Sequence, residues 1–67
     1  MKSELSPRQQ QIAQLMAEGL TNKAIAAALR LSIRTIETHI HLIYVRLGAV
    51  NRAQACVILS EQRRKIA

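Results

Sequence analysis

Residues 21–48 read TNKAIAAALRLSIRTIETHIHLIYVRLG and contain two helix signals separated by a short link. Thr21 is a favourable N-cap, and apolar residues follow it at helical spacing as far as Leu29. Ser32 caps a second and longer segment, which Gly48 ends. A short helix, a tight link and a longer helix together predict a helix-turn-helix.

The longer helix, expected over about 33–47, has the strongest periodic signal in the chain. Its apolar residues fall at spacings of four, three and four, so they share one face of a helix. That face is predicted to pack into the core, and the opposite face must then meet solvent or a partner. The apolar residues are Ile36, Ile40, Ile43 and Leu47.

Cap signals predict one further helix on each side of this pair. Ser6-Pro7-Arg8-Gln9 forms a capping box with proline at the first helical position, and Gly19 is a left-handed cap candidate. Asn51, followed by Gln54, forms a second capping box. We therefore expect an all-α fold, with residues 1–67 forming one compact four-helix domain whose core spans about 5–63. The predicted helices are about 7–18, 22–29, 33–47 and 52–63.

Two residues decide how the central pair of helices can pack. Ala26 is small, which lets the second helix of the motif approach the first closely. Arg30 stands in the link, where a glycine usually makes the turn. Because a non-glycine residue at positive φ costs about 1 kcal/mol, we expect this turn to be strained or differently shaped.

The composition limits the classes of function. The chain has 67 residues and ten Lys+Arg against four Asp+Glu, a net charge of +6 that favours a polyanion such as nucleic acid. So short a chain leaves little room for an enclosed substrate pocket. Its carboxylates form no acid–base pair by spacing, and the single Cys56 cannot build a cysteine metal cluster. We expect no catalytic site, metal or cofactor, no membrane span, and a reducing cytoplasm.

Candidate base-reading residues lie opposite the apolar stripe of the helix at 33–47. At about 100° per residue they cluster near its N-terminal half, where a recognition helix enters the major groove. Their side chains can bond guanine, cytosine or thymine edges. An ordinary solvated face explains the same pattern, and a carboxylate is repelled by phosphates unless it reads a base or orients an arginine. These residues are Arg34, Glu37, Thr38 and His41.

His39 and Cys56 have structural interpretations. His39 borders the apolar stripe, which predicts a partly buried, hydrogen-bonded side chain. Cys56 lies in an apolar arc with Ala53, Val57 and Leu59, so we expect it to pack rather than to sense redox state.

Several segments, in order and at consistent spacing, resemble the LuxR/FixJ-type helix-turn-helix. Leu5-Ser6-Pro7-Arg8 and residues 17–26, AEGLTNKAIA, resemble its opening. Residues 32–40, SIRTIETHI, resemble its recognition helix, and 43–48, IYVRLG, with 51–55, NRAQA, resemble its close. The resemblance covers about residues 5–58 without gaps.

The resemblance implies a sequence-specific DNA-binding domain of a bacterial transcription regulator, with the helix at 33–47 in the major groove of promoter DNA. Such a domain usually follows a receiver or sensor domain and acts with RNA polymerase on the nucleoid. Positions that hold the phosphate backbone in the family match Lys23, Arg34, Thr35, Arg46 and Arg52. Thr21 and Asn22 could add amide contacts at a helix N-terminus. His41 and Val45 stand where polar or basic residues are common, which weakens phosphate attraction there.

The last helix has more apolar surface than one small core needs. The resemblance implies that this helix forms a weak homodimer. A helix that is simply well buried in a small protein explains the same pattern. The candidate dimer residues are Ala55, Ile58, Leu59 and Gln62.

Three rival interpretations remain. A sigma-factor-like promoter-reading domain has a similar motif, but the capped helix after Gly48 argues against it. A protein-interaction module would sequester a larger regulator through the last helix and show little DNA affinity. A basic amphipathic membrane-surface binder is disfavoured by the compact, capped helices.

Overall fold

The computed structural model describes the backbone of residues 5–66 and the side chains of residues 5–62. In chain order the helices are α1 (Pro7–Ala17), α2 (Asn22–Leu29), α3 (Ile33–Leu47) and α4 (Arg52–Ile66). No strand occurs in this described range. The all-α class and the four helices are confirmed; α1 ends one residue earlier and α4 three residues later than predicted.

The predicted side chains cap the first three helices. The hydroxyl of Ser6 accepts from the Gln9 N–H at 3.2 Å, and Gln9 Oε1 accepts from the Ser6 N–H at 3.0 Å. Thr21 and Ser32 accept in the same way from N–H groups three residues later. These bonds satisfy amides that have no partner inside the helix, and so fix where each helix begins.

The cap of α4 differs from the prediction in one bond. Asn51 Oδ1 accepts from the Gln54 N–H at 2.8 Å, as expected of a capping box. Gln54 Oε1 accepts instead from the Val50 N–H at 2.7 Å. The chain bends over residues 50–51, so the amide that meets this side chain lies one residue earlier than in a standard capping box.

Left-handed turns follow α1, α2 and α3. They are made by Gly19, Arg30 and Gly48, whose φ angles are 96°, 60° and 73°. In each turn the residue after the left-handed one donates its N–H to the carbonyl of the residue five positions before it, at 2.9 to 3.1 Å. This bond is typical of a Schellman motif. Arg30 is the one non-glycine residue with positive φ in the described range. The turn before α3 therefore has the shape of a glycine turn, with the strain that the sequence predicted.

The core lies around α1 and α3, each of which packs against the other three helices. The predicted stripe of α3 faces inward, with Leu47 half-buried at its end. Ala26 is buried, as close packing of α2 against α3 requires. The buried apolar residues are Ile12, Ala13, Met16, Ile25, Ala26, Ile36, Ile40, Ile43, Ala55 and Leu59.

The inward face of α4 differs from the sequence interpretation. Ala55 and Leu59 are 0% and 7% exposed, so these two predicted dimer residues are part of the protomer core. Cys56 is half-buried, and its thiol lies 3.8 Å from the Met16 carbonyl of α1. Ala53 and Val57, expected to pack with Cys56, are exposed instead. The apolar excess of α4 is thus divided between the core and an outer face.

No single described helix is long and apolar enough to cross a membrane. Residues Ile33–Leu47 and Arg52–Gln62 meet such a criterion only when they are joined across a bend of 63°. The most buried apolar residues of both helices form the core described above.

Candidate nucleic-acid interface

A shallow depression on α3 brings together all four residues that the sequence singled out as base-reading candidates. All of them are exposed and belong to one helix. The depression is therefore a strip of helix surface that is open to solvent. It is lined by Arg34, Glu37, Thr38, His41 and Leu42.

The buried stripe of α3 fixes which face points outward. Ile36 and Ile43 are fully buried, so rotation of α3 about its axis would expose large apolar side chains to water. The residues directly opposite have the same spacing of four, three and four. They are Arg34, Thr38, His41 and Val45.

Hydrogen bonds within α3 orient two of its threonines. The Thr38 hydroxyl donates to the Arg34 carbonyl at 3.1 Å and keeps its acceptor lone pairs. The Thr35 hydroxyl accepts from the Ser32 hydroxyl at 2.9 Å, while the Thr35 N–H donates to Ser32 Oγ at 3.0 Å. Thr35 is half-buried at the start of α3, and its own hydroxyl proton is not used in that bond.

The start of α2 supplies a second group of predicted contacts. Thr21 is exposed and caps the helix by accepting from the Ala24 N–H at 3.1 Å. Lys23 is exposed in the first turn, where its charge is accessible. Asn22, between them, is half-buried because its side chain is held by a residue from another helix.

That residue is Arg52, the first residue of α4. Its guanidinium donates from Nη1 to Asn22 Oδ1 at 2.7 Å and from Nη2 to the Leu20 carbonyl at 2.6 Å. Arg52 therefore ties the start of α4 to the start of α2 and uses two of its five donors to do so. The sequence indicates only a phosphate contact for Arg52, because the groups that it bonds lie 30 and 32 residues away in the chain.

Arg46 is exposed in the last turn of α3, where a cation also interacts favourably with the helix dipole. Together with Lys23 it places positive charge on both helices of the motif. Three consecutive basic residues, Arg63, Arg64 and Lys65, could add phosphate contacts, but their side chains lie outside the described residues. Within the described residues, no group of three or more His, Cys, Asp or Glu side chains could hold a metal ion.

The sequence matches the model of a known family. Residues 3–59 match the family described as bacterial regulatory proteins, luxR family. The chain belongs to the luxR family. It is therefore a DNA-binding helix-turn-helix domain of a transcription regulator, as the resemblance indicated.

The curated relatives of this luxR-family domain are regulators. It is 43% identical over 53 residues to transcriptional regulatory protein LiaR of Bacillus subtilis, covering 79% of this chain and 25% of LiaR. It is 41% identical over 56 residues to the putative HTH-type transcriptional regulator YhjB of Escherichia coli, covering 84% of this chain and 28% of YhjB. The chain spans between 6% and 29% of the length of the curated relatives that it matches.

A solved structure has the same fold. The crystal structure of the anti-activator RapF complexed with the response regulator ComA DNA-binding domain matches with a TM-score of 0.79 and 40% sequence identity. The match covers 82% of this chain and 95% of that chain. The four helices therefore have the arrangement of a LuxR-type DNA-binding domain.

Two features of the luxR-family domain were not predicted. His39 is half-buried as expected, and its Nδ1 is buried without a hydrogen-bond partner among the described residues, so a bond at this nitrogen is not the one that the sequence predicted. Leu42 lines the depression and is 41% exposed. The signal for Leu42 was present in the sequence, since it lies one helical turn after Thr38.

Proposed function

We propose that this luxR-family domain binds double-stranded promoter DNA sequence-specifically, with α3 in the major groove. The depression on α3 is the observation that carries the proposal. It presents a guanidinium, a carboxylate, a hydroxyl and an imidazole on one exposed strip. These groups include donors and acceptors that match base edges in the major groove.

The shape of α3 supports the same proposal. Exposed residues occur along the helix from Ile33 to Arg46, so one side is accessible over most of its length. A helix of about 10–12 Å diameter fits the major groove, which is about 12 Å wide. An ordinary solvated face could present the same side chains, but the family of this chain consists of DNA-binding regulators.

Phosphate contacts would supply most of the affinity. Lys23 and Arg46 provide accessible charge near the two ends of the motif, while Thr21 and Thr35 provide hydroxyl groups at the helix starts. We assign Arg52 to holding Asn22 and the start of α2 in place, in addition to any phosphate contact. Binding should therefore weaken steeply as salt is raised.

We also propose weak self-association through the outer face of α4. Ala55 and Leu59 are buried in the core, so we no longer include them in the predicted dimer surface. Ile58 is half-buried and Gln62 is exposed, and the two lie one turn apart on one side of α4. The exposed Val57 flanks Ile58 at about 100° around the helix. A symmetric pair would place two copies of α3 in successive major grooves about 34 Å apart.

A second candidate function is binding by a regulatory protein. The similar solved structure is that of a response-regulator DNA-binding domain complexed with an anti-activator. By analogy, a protein that covers α3 or α4 of this chain would prevent DNA binding. Within a longer regulator, a sensor or receiver domain would supply the input and RNA polymerase would be a further partner. The DNA-bound regulator would act on the nucleoid in the bacterial cytoplasm.

Selection from a random duplex DNA pool at near-physiological salt tests the main proposal. We expect enrichment of an inverted repeat whose half-sites are about 10 base pairs apart, centre to centre. Binding without enrichment would contradict base reading by α3. No binding at all would favour the protein-binding candidate.

Sedimentation tests the self-association. Ile58→Asp and Val57→Asp should shift the complex on DNA from two copies to one, because a carboxylate would be buried against its symmetry mate. Val50→Asp, an exposed valine outside α4, is the matched control and should leave two copies bound. Equal behaviour of all three variants would contradict this interface.

A further inference from the structure

The line of exposed residues opposite the buried stripe of α3 changes from polar side chains to an apolar one along the helix. Arg34 and Thr38 occupy its first half, whereas Val45, in line with them, is 65% exposed. Leu42 lies beside that line and also lines the depression. We name Leu42 and Val45 the apolar end of this face; their side chains present only aliphatic C–H groups.

The apolar end has no part in the core. Leu42 and Val45 are three residues apart, so they are neighbours on the helix surface, and neither is among the buried residues. Single exposed apolar residues are common and need no explanation. These two are adjacent to each other, and Leu42 borders the four polar residues of the depression, so a partner that covers the depression would also meet the pair.

The chemistry of the major groove limits what such a pair can meet there. A phosphate would lose water against an aliphatic side chain and gain no bond in return. Base edges in the major groove are otherwise donors and acceptors, and the apolar group among them is the C5-methyl of thymine. A 5-methylcytosine carries a methyl group at the same ring position.

We propose that Leu42 and Val45 read the C5-methyl group of a pyrimidine at the edge of each half-site. The inference rests on the proposed function, since it requires α3 to lie in the major groove. Leu42 lies one turn beyond Thr38, a rise of about 6 Å. Base pairs stack roughly 3.4 Å apart, so we expect the methyl group on a base pair near, but not the same as, the one that Thr38 meets.

The first arm of the test changes only the DNA. In the duplex enriched by selection, each thymine is replaced in turn by uracil, which removes the methyl group and keeps the base-pairing atoms. Fluorescence anisotropy should show binding about four- to fifteenfold weaker for one or two thymines per half-site, the scale of one or two buried methyl groups. Uracil at the remaining positions should change the Kd less than twofold.

The second arm changes the protein. Leu42→Ala and Val45→Ala should each reduce the ratio of Kd values for the uracil and thymine duplexes toward one. Val50→Ala shortens another exposed valine, outside α3, and should keep the ratio of the parent chain. Circular dichroism should show the same helix content for all three variants, because the altered side chains are exposed.

The third arm distinguishes the two sources of a methyl group. At the sensitive position, duplexes with cytosine and with 5-methylcytosine, each paired with guanine, are compared. Tighter binding of the methylated duplex assigns recognition to the methyl group of either pyrimidine. An effect confined to the thymine–uracil pair assigns thymine alone as the ligand.

The outcomes separate the inference from the function on which it depends. The inference would be overturned if a site is enriched but every thymine-to-uracil change alters the Kd by less than twofold. In that case α3 would recognise bases through hydrogen-bond donors and acceptors alone. An enriched half-site without thymine would do the same. Absence of any enriched site would overturn the proposed function and the inference together.

Discussion

Two stripes of α3 have the same spacing and opposite surroundings. Ile36, Ile40, Ile43 and Leu47 face the other helices, whereas Arg34, Thr38, His41 and Val45 face outward. Helical geometry decides which residues share a stripe, and apolar area decides which stripe turns inward. Substitutions in the two stripes should therefore be detected by different measurements, stability for the first and DNA binding for the second.

The largest effect is expected when one methyl-rich side chain of the buried stripe is truncated. Ile43→Ala should lower the free energy of unfolding by about 2–4 kcal/mol, because Ile43 is fully buried and the cavity cannot fill completely. Val45→Ala, two residues later on the outer stripe, should change it by less than about 0.5 kcal/mol. Urea unfolding followed by circular dichroism measures both. Equal losses would remove the distinction between the stripes.

The next effect concerns the outer stripe alone. Thr38→Ala combined with His41→Ala should reduce discrimination between the selected site and random DNA by about 1–3 kcal/mol, since each lost base contact removes specificity. The free energy of unfolding should hardly change. Gln11→Ala, an exposed polar change on α1, is the control for binding. The base-reading assignment would be contradicted by equal losses of affinity for selected and random duplexes.

A smaller effect is expected at the turn that delivers the chain into α3. Arg30, which precedes α3, has φ 60° and ψ 43°. These angles are close to the φ 73° and ψ 28° of Gly48, which follows α3. Arg30→Gly should raise the free energy of unfolding by about 0.5–1 kcal/mol, the relief of the left-handed conformation less the added freedom of the unfolded chain. Arg30→Ala removes the charge but keeps the strain, so it serves as the control. If Arg30→Ala raised the free energy of unfolding by as much as Arg30→Gly, the effect would come from the lost charge and not from relief of backbone strain.

The smallest effect is expected outside α3. Lys23→Ala should weaken binding to all duplexes alike and make the slope of log K against log salt shallower by about 1. Lys23→Arg retains the charge and should keep the slope of the parent chain. Isothermal titration at several salt concentrations measures both variants. An unchanged slope in Lys23→Ala would remove this side chain from the phosphate contacts.

The features that sequence could predict depend on near neighbours in the chain. Ser6, Thr21, Ser32 and Asn51 each accept from an amide three residues later, and so the residue types alone predicted where the helices begin. The stripe of α3 repeats within one helix, so its inward and outward faces were also predictable. The four base-reading candidates followed from the same periodicity.

The features that sequence could not predict depend on contacts between distant segments. The partners of Arg52 lie on another part of the chain, 30 and 32 residues away, so its bracing bonds with Asn22 and Leu20 appear only after α2 and α4 are packed. The same applies to Ala55 and Leu59, whose burial depends on how α4 meets α1 and α3. No periodicity in α4 indicates which part of its apolar surface the core will use.

The sequence by itself determined the helices, their caps, the two stripes of α3 and the resemblance to the luxR family, because these follow from local hydrogen bonds, helical period and residue order. Only the tertiary structure decided that Arg52 braces α2, that the outer face of α4 carries Val57 rather than Leu59, and that His39 Nδ1 is buried without a partner among the described residues. The physical reason is that burial and long-range bonding depend on which surfaces meet, and that depends on all four helices together.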